Sequence, residues 1–161
     1  MYYGEFENFK FNGKGICTYY CSGDRYDGQW KDDKKHGTGK CIWTDGSNYD
    51  GQWENNRRNG KGEYTYADGD IYIGGFKDDR RHGKGEYINI DGGNYIGEYM
   101  FNEANGSGVL TYANGDKYIG EFKDDKKHGI GKMISHKGNV TAGIFKDNDL
   151  VTKDSNFLLT N

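Results

Sequence analysis

The chain contains no proline, and only 33% of its 161 residues are apolar. A compact domain of this length with a deep core usually needs more Val, Ile and Leu. Mean hydropathy is −1.05, which alone would suit a disordered chain. Cysteine is scarce: Cys17, Cys21 and Cys41 are an odd number without CxxC spacing. That argues against a disulfide framework and points to a reducing compartment. No apolar run approaches the ~18 residues of a membrane span. The opening residues, Met1 to Lys10, hold no apolar stretch of the kind a secretory signal needs. A cytoplasmic location is therefore expected, and the sequons at Asn105 and Asn139 are expected to be idle. Neither sign of charge dominates, since 22 basic and 25 acidic residues give a net charge of −3. Phosphate-backbone binding usually shows a strong basic excess, so nucleic acid is not expected as a partner. The motifs GxxxxGK[ST], GxSxG, HExxH and GxGxxG are missing, as is the twelve-residue EF-hand loop. No enzyme activity, cofactor or metal is expected.

What is present is a repeat. Tyr26, Tyr49, Tyr72, Tyr95 and Tyr118 fall 23 residues apart. Gly28, Gly51, Gly74, Gly97 and Gly120 follow them by two residues, and Trp30, Trp53, Phe76, Tyr99 and Phe122 follow by two more. A fixed period of this length predicts a stacked array, because one unit cannot bury its own apolar face and leans on its neighbours. Such an array needs only a few core side chains per rung, which suits the low apolar content. Its 16% of aromatic residues and its regularity argue against disorder.

Within the unit 39–62, Lys40 to Thr44 reads as a strand, Asp45-Gly46 as a hairpin turn, and Tyr49 to Trp53 as the return strand. Tyr, Gly and Trp alternate on that return strand and so share one face. A glycine in mid-strand is costly, and its recurrence on the aromatic face predicts a ring lying flat over the backbone. The other face carries Asp50, Ile73, Ile96 and Ile119 and reads as mixed and half solvated. Glu54 to Asn59 reads as a second connecting loop. Six hairpins and a lone first strand give about 13 strands, roughly 60 Å of array at ~4.8 Å per strand. The array is expected over residues 1–145, with 146–161 as a cap on the last rung or a docking tail. Val151, Phe157, Leu158 and Leu159 are its apolar residues. The open first strand, Tyr2 to Phe6, offers an edge through which a homodimer would pair.

The pattern resembles the MORN (membrane occupation and recognition nexus) repeat. Tyr49-Asp50-Gly51-Gln52-Trp53 with Gly60-Lys61-Gly62 carries the resemblance, as does Tyr118-Ile119-Gly120-Glu121-Phe122 with Gly129-Ile130-Gly131. It covers residues 2 to about 145. It implies an all-β fold, an elongated, curved antiparallel sheet of stacked β-hairpins of about 23 residues. It also implies a non-catalytic scaffold that binds a protein partner or, by another account, phospholipid. Such repeats occur in cytoskeletal scaffolds and attached to enzymes such as phosphatidylinositol phosphate kinases. An accessory fragment of a larger enzyme is therefore a further alternative. Gly75, where most repeats carry Glu or Gln, and Thr141, where they carry Tyr, depart from the pattern.

Two sets of candidate site residues follow. For a protein partner held in a preformed groove, the aromatics Trp30, Trp43, Trp53, Phe76, Tyr99 and Phe122 are the anchors, since such rings are favoured in interfaces. The competing role for most of them is packing between rungs. For anionic lipid, the dibasic pairs Lys34-Lys35, Arg57-Arg58, Arg80-Arg81 and Lys126-Lys127 form a ladder on one edge. Adjacent Asp-Asp pairs offset three of the four. Arg57-Arg58, flanked by Asn, is the best anion contact. His36, His82 and His128 sit in near-identical loop sequences, but ~20 Å apart on strand spacing, too far to share a metal. They read as loop histidines bonding locally. Cys17 and Cys41 occupy one strand position in adjacent units and read as small buried residues.

Overall fold

The computed structural model describes residues 1–154. Every regular element among them is a β-strand. The chain divides into two compact units, Met1–Arg80 and Arg81–Asn161. The first holds β1 (Tyr2–Glu7), β2 (Lys10–Thr18), β3 (Arg25–Lys31), β4 (Lys34–Ile42), β5 (Asn48–Glu54), β6 (Arg57–Thr65) and β7 (Ile71–Lys77). The second holds β8 (Arg80–Ile88), which opens at the boundary, then β9 (Asn94–Met100), β10 (Glu103–Thr111), β11 (Lys117–Lys123), β12 (Lys126–Ile134), β13 (Val140–Lys146) and β14 (Asp149–Lys153). Within each unit every strand pairs antiparallel with the next in sequence. Among the described residues the strands number fourteen, one more than the period suggests, because Asp149–Lys153 adds to β13 beyond the recognisable repeat. Phe157, Leu158 and Leu159 of the expected cap lie outside the described residues.

Each unit carries its own row of paired glycines. Gly4 pairs with Gly15, Gly15 with Gly28, Gly28 with Gly39, Gly39 with Gly51, and Gly51 with Gly62. The reason is the tyrosine two residues before each return-strand glycine. The Tyr26 hydroxyl donates to the Gln29 carbonyl at 2.9 Å, which lays its ring across Gly28 and Gly39. A Cβ on Gly39 would collide with the phenol. The ring over the backbone is the arrangement the mid-strand glycines predict.

The tight connections are not where the sequence places them. Each stretch expected as a six-residue loop is a two-residue turn between long strands. Asp32 and Asp33 both have positive φ, 48° and 63°, as do Asn55 and Asn56 at 51° and 70°. This is the mirror-image turn that matches strand twist, and Asp and Asn tolerate its left-handed backbone better than most residues. The Asp-Gly connections are slightly longer. Trp43 and Ser47 close the loop, with Gly46 in the left-handed position at φ 93°.

Each tight turn is clasped to the hairpin before it. Asn56 donates its backbone N–H to the Lys35 carbonyl at 3.0 Å, and its Oδ1 accepts from the Lys35 N–H at 2.8 Å. Asp79 does the same for Arg58, and Asn102 for Arg81. Asp and Asn serve equally because only an acceptor oxygen is needed. A bulge completes the rung. Gly28 pairs with Gly39 and Trp30 with Lys35, so Gln29 faces His36 to Thr38. The Gln29 Oε1 accepts from the Thr38 N–H at 2.8 Å and pins that bulge.

Candidate partner-binding face

The aromatic face of each unit is a zipper of edge-to-face rings. In the first unit Tyr26 meets Trp30 at 5.0 Å and Trp53 at 5.4 Å, and Tyr49 meets Trp53 at 5.1 Å and Phe76 at 5.0 Å. In the second, Tyr95 meets Tyr99 at 5.2 Å and Phe122 at 4.8 Å, and Tyr118 meets Phe122 and Phe145. Each such pair contributes about 0.5–1.5 kcal/mol beyond area burial. The indole N–H groups are satisfied, Trp30 donating to the Gly15 carbonyl and Trp53 to that of Gly39. Burial pushes the Tyr49, Tyr95 and Tyr118 hydroxyls up to about 12, and that of Tyr26 higher still.

Five of the six rings expected to anchor a partner are therefore core. Trp30, Trp53, Phe76, Tyr99 and Phe122 are all buried. Trp43 is the exception, half-buried against Tyr64 at 5.6 Å. Tyr64 in turn meets Tyr66 at 4.6 Å. Tyr64 and Tyr66 form an outer, half-buried row on the aromatic face of the first unit, and Tyr87, Leu110, Tyr112 and Met133 form one on that of the second; the sequence reading passed over both. The signal was there in alternation, since each sits at the far end of the strand preceding a return strand or one residue beyond it.

The dibasic ladder also divides, and none of it lies in loops. Lys34, Arg57, Arg80 and Lys126 each begin a strand, β4, β6, β8 and β12, and point outward. Arg57, expected to be free of acids, lies 3.2 Å from Asp78 of the next turn, and Lys126 lies 4.0 Å from Asp147. The second member of each pair folds onto the rings. The Lys35 ammonium sits 4.7 Å from the Trp53 ring and 5.1 Å from Tyr26. The Arg58 guanidinium sits 4.8 Å from Tyr64 and 5.5 Å from Phe76, and its Nε donates to Asp79 at 3.2 Å. Arg81 covers Tyr87 and Tyr99, and Lys127 covers Tyr118 and Phe145.

His36, His82 and His128 are on strands rather than in loops, and Nδ1 of His82 and of His128 is buried with no hydrogen-bond partner. Among the described residues no group of His, Cys, Asp and Glu could hold a metal ion. Cys17 and Cys41 are buried as expected, and burial raises the Cys41 thiol despite the nearby Lys35. At the first strand, Tyr3 and Phe6 are exposed and β2 is the neighbour. On the opposite face of the second unit, Val109, Ile119 and Ile130 line a shallow depression of about 560 Å³. Ser107, Glu121 and Lys132 share that lining, so the face is mixed.

Stacked hairpins with a tyrosine–glycine row define a repeat protein whose faces offer the candidate sites. The chain belongs to the MORN repeat family, whose profile matches residues 2–20, 26–48, 49–71, 72–94, 95–117 and 118–140. No curated protein matches it. Among solved structures it is similar to the TCP domain of SAS-4 (dCPAP) of Drosophila melanogaster, solved in complex with a proline-rich motif of Ana2 (dSTIL). The identity is 12%, the TM-score 0.52, and the likeness covers 82% of this chain and 72% of that one. A streptogramin B lyase aligns over 89% of this chain and 45% of its own at 13% identity, with a TM-score of 0.18.

Proposed function

We propose that this protein is a non-catalytic scaffold that binds a polypeptide partner across its aromatic face. The observation that carries the reading is the outer row of half-buried aromatics, Trp43, Tyr64 and Tyr66 in the first unit and Tyr87 and Tyr112 in the second. Their rings are held by the zipper beneath and by stacked cations, so little ordering remains to be done on binding. Half-exposed Tyr and Trp on a rigid sheet are suited to be interface anchors. The SAS-4 domain, which has a similar fold, holds a proline-rich motif of a protein, and this supports a polypeptide as ligand. Membrane binding is the weaker reading, because acids of the next turn partner Arg57 and Lys126.

The test is affinity capture from the source lysate at physiological and high salt, comparing the native chain with a Trp43→Ala/Tyr64→Ala variant. A stoichiometric polypeptide that survives high salt and is lost from the variant is expected. The same polypeptide on both chains would sink the outer-row reading. Material released by salt and rich in lipid would favour the membrane.

A further inference from the structure

The basic column breaks at Ala104. The covering position reads Lys35, Arg58, Arg81, Ala104 and Lys127 in the regular repeats, while Phe11 and Leu150 hold the same register position in the first and last hairpins. Ala104 is a full double repeat, 46 residues, beyond Arg58. The surroundings of Arg58 are Tyr49, Tyr64, Phe76 and Asp79. Their equivalents around Ala104 are Tyr95, Leu110, Phe122 and Asp125, and all four line a notch of about 190 Å³ together with Ala104, Arg81, Tyr87 and Tyr99. Tyr95 is 7% exposed, where Tyr26, Tyr49, Tyr72 and Tyr118 are at 0%, as expected of a ring that has lost its cover. The Asp125 Oδ1 is held in place by the Ala104 N–H at 2.7 Å, as Asp79 is by Arg58.

We infer that this notch is the receptor for an arginine side chain of the bound polypeptide, which would replace the covering cation that the chain omits. The inference rests on the scaffold reading above and gives its partner a chemistry. An incoming guanidinium meets the faces of Tyr95 and Phe122 and the carboxylate of Asp125, the contacts Arg58 makes with Tyr49, Phe76 and Asp79. Arg81 also lines the notch, but its guanidinium is already stacked on Tyr87 and Tyr99, one repeat from Ala104 as Lys35 is from Arg58. The exposed Asp125 carboxylate beside the faces of Tyr95 and Phe122 favours a second cation over a neutral side chain, as Asp79 does for Arg58 with Lys35 on the neighbouring rung.

The probe is arginine blocked at both ends as the N-acetyl N-methylamide, with blocked citrulline as its neutral isostere. Both are titrated into the full chain and followed by NMR. Blocked arginine should shift the Ala104 and Asp125 amides and the Tyr95 and Phe122 rings, and citrulline should leave them. Asp125→Asn should weaken binding roughly fivefold. It should leave the fold intact, because Asn56, Asn102 and Asn148 hold the same turn position. Ala104→Arg should abolish the shifts by filling the notch. Equal shifts with citrulline, shifts spread evenly over all repeats, or full binding by Asp125→Asn would overturn the inference. No partner enters this titration, so its failure is distinct from failure of the capture experiment.

Discussion

The Tyr26 ring lies flat on Gly39, anchored by its hydroxyl on the Gln29 carbonyl, and leaves no room for a Cβ there. The strand glycines are thus half of a two-part joint. Gly39→Ala is expected to cost about 1–3 kcal/mol by overpacking. In a Tyr26→Ala background the same change should cost much less, since the obstructing ring is gone. Urea denaturation of the double-mutant cycle measures the coupling. Additive costs would separate the glycine from the ring.

The turn clasp predicts an unusual tolerance. Asp33 and Asn56 do the same work, accepting the Phe11 and Lys35 N–H groups respectively. Asp33→Asn is therefore expected to leave stability within ~0.5 kcal/mol. Asn56→Ala loses both the acceptor and the tolerance of positive φ, and should cost about 2 kcal/mol. Urea midpoints compare the two. A large loss in the first variant would show that the charge, not the acceptor, matters.

Much of this fold was legible because the period is a physical statement: Tyr26 and Gly28 recur only if each rung repeats the same contact. The turns were less legible. Asp32-Asp33-Lys34-Lys35 looks like a polar loop, because a strand edge facing solvent has the composition of one. The division of labour within Arg57-Arg58 was hidden, since the acids that meet them, Asp78 and Asp79, lie a repeat away in sequence and beside them in space. Trp43 and Trp53 could not be told apart by residue type. Their fates differ because Trp53 sits on the return strand under a tyrosine, and Trp43 sits at a loop. Ala104 was visible as a break in the basic column, but the notch it leaves needed the rings of its neighbours in place.

The two tryptophans should respond differently to truncation. Trp53 touches two tyrosine rings and donates to the Gly39 carbonyl. Trp53→Ala is expected to cost about 3–5 kcal/mol, as large aromatic truncations in cores do. Trp43→Ala should cost about 1 kcal/mol or less and leave the circular dichroism unchanged. Thermal melts check both. Equal losses would mean that Trp43 belongs to the core, and would remove it from the binding face.

The buried hydroxyls predict how the protein fails in alkali. A tyrosine in an unfolded chain ionises near ~10. Burial holds Tyr49, Tyr95 and Tyr118 up to about 12 in the folded state. Between those values the unfolded chain has released protons that the folded one still binds, so stability falls as pH rises. Below pH ~10 this contribution is fully present, and it is lost as pH climbs through the folded value near 12. Tyrosinate absorbance from the buried rungs should therefore appear together with loss of the β-sheet circular dichroism, in one steep step. A smooth titration of all tyrosines near ~10 with the sheet signal preserved would contradict the zipper as the core of the fold.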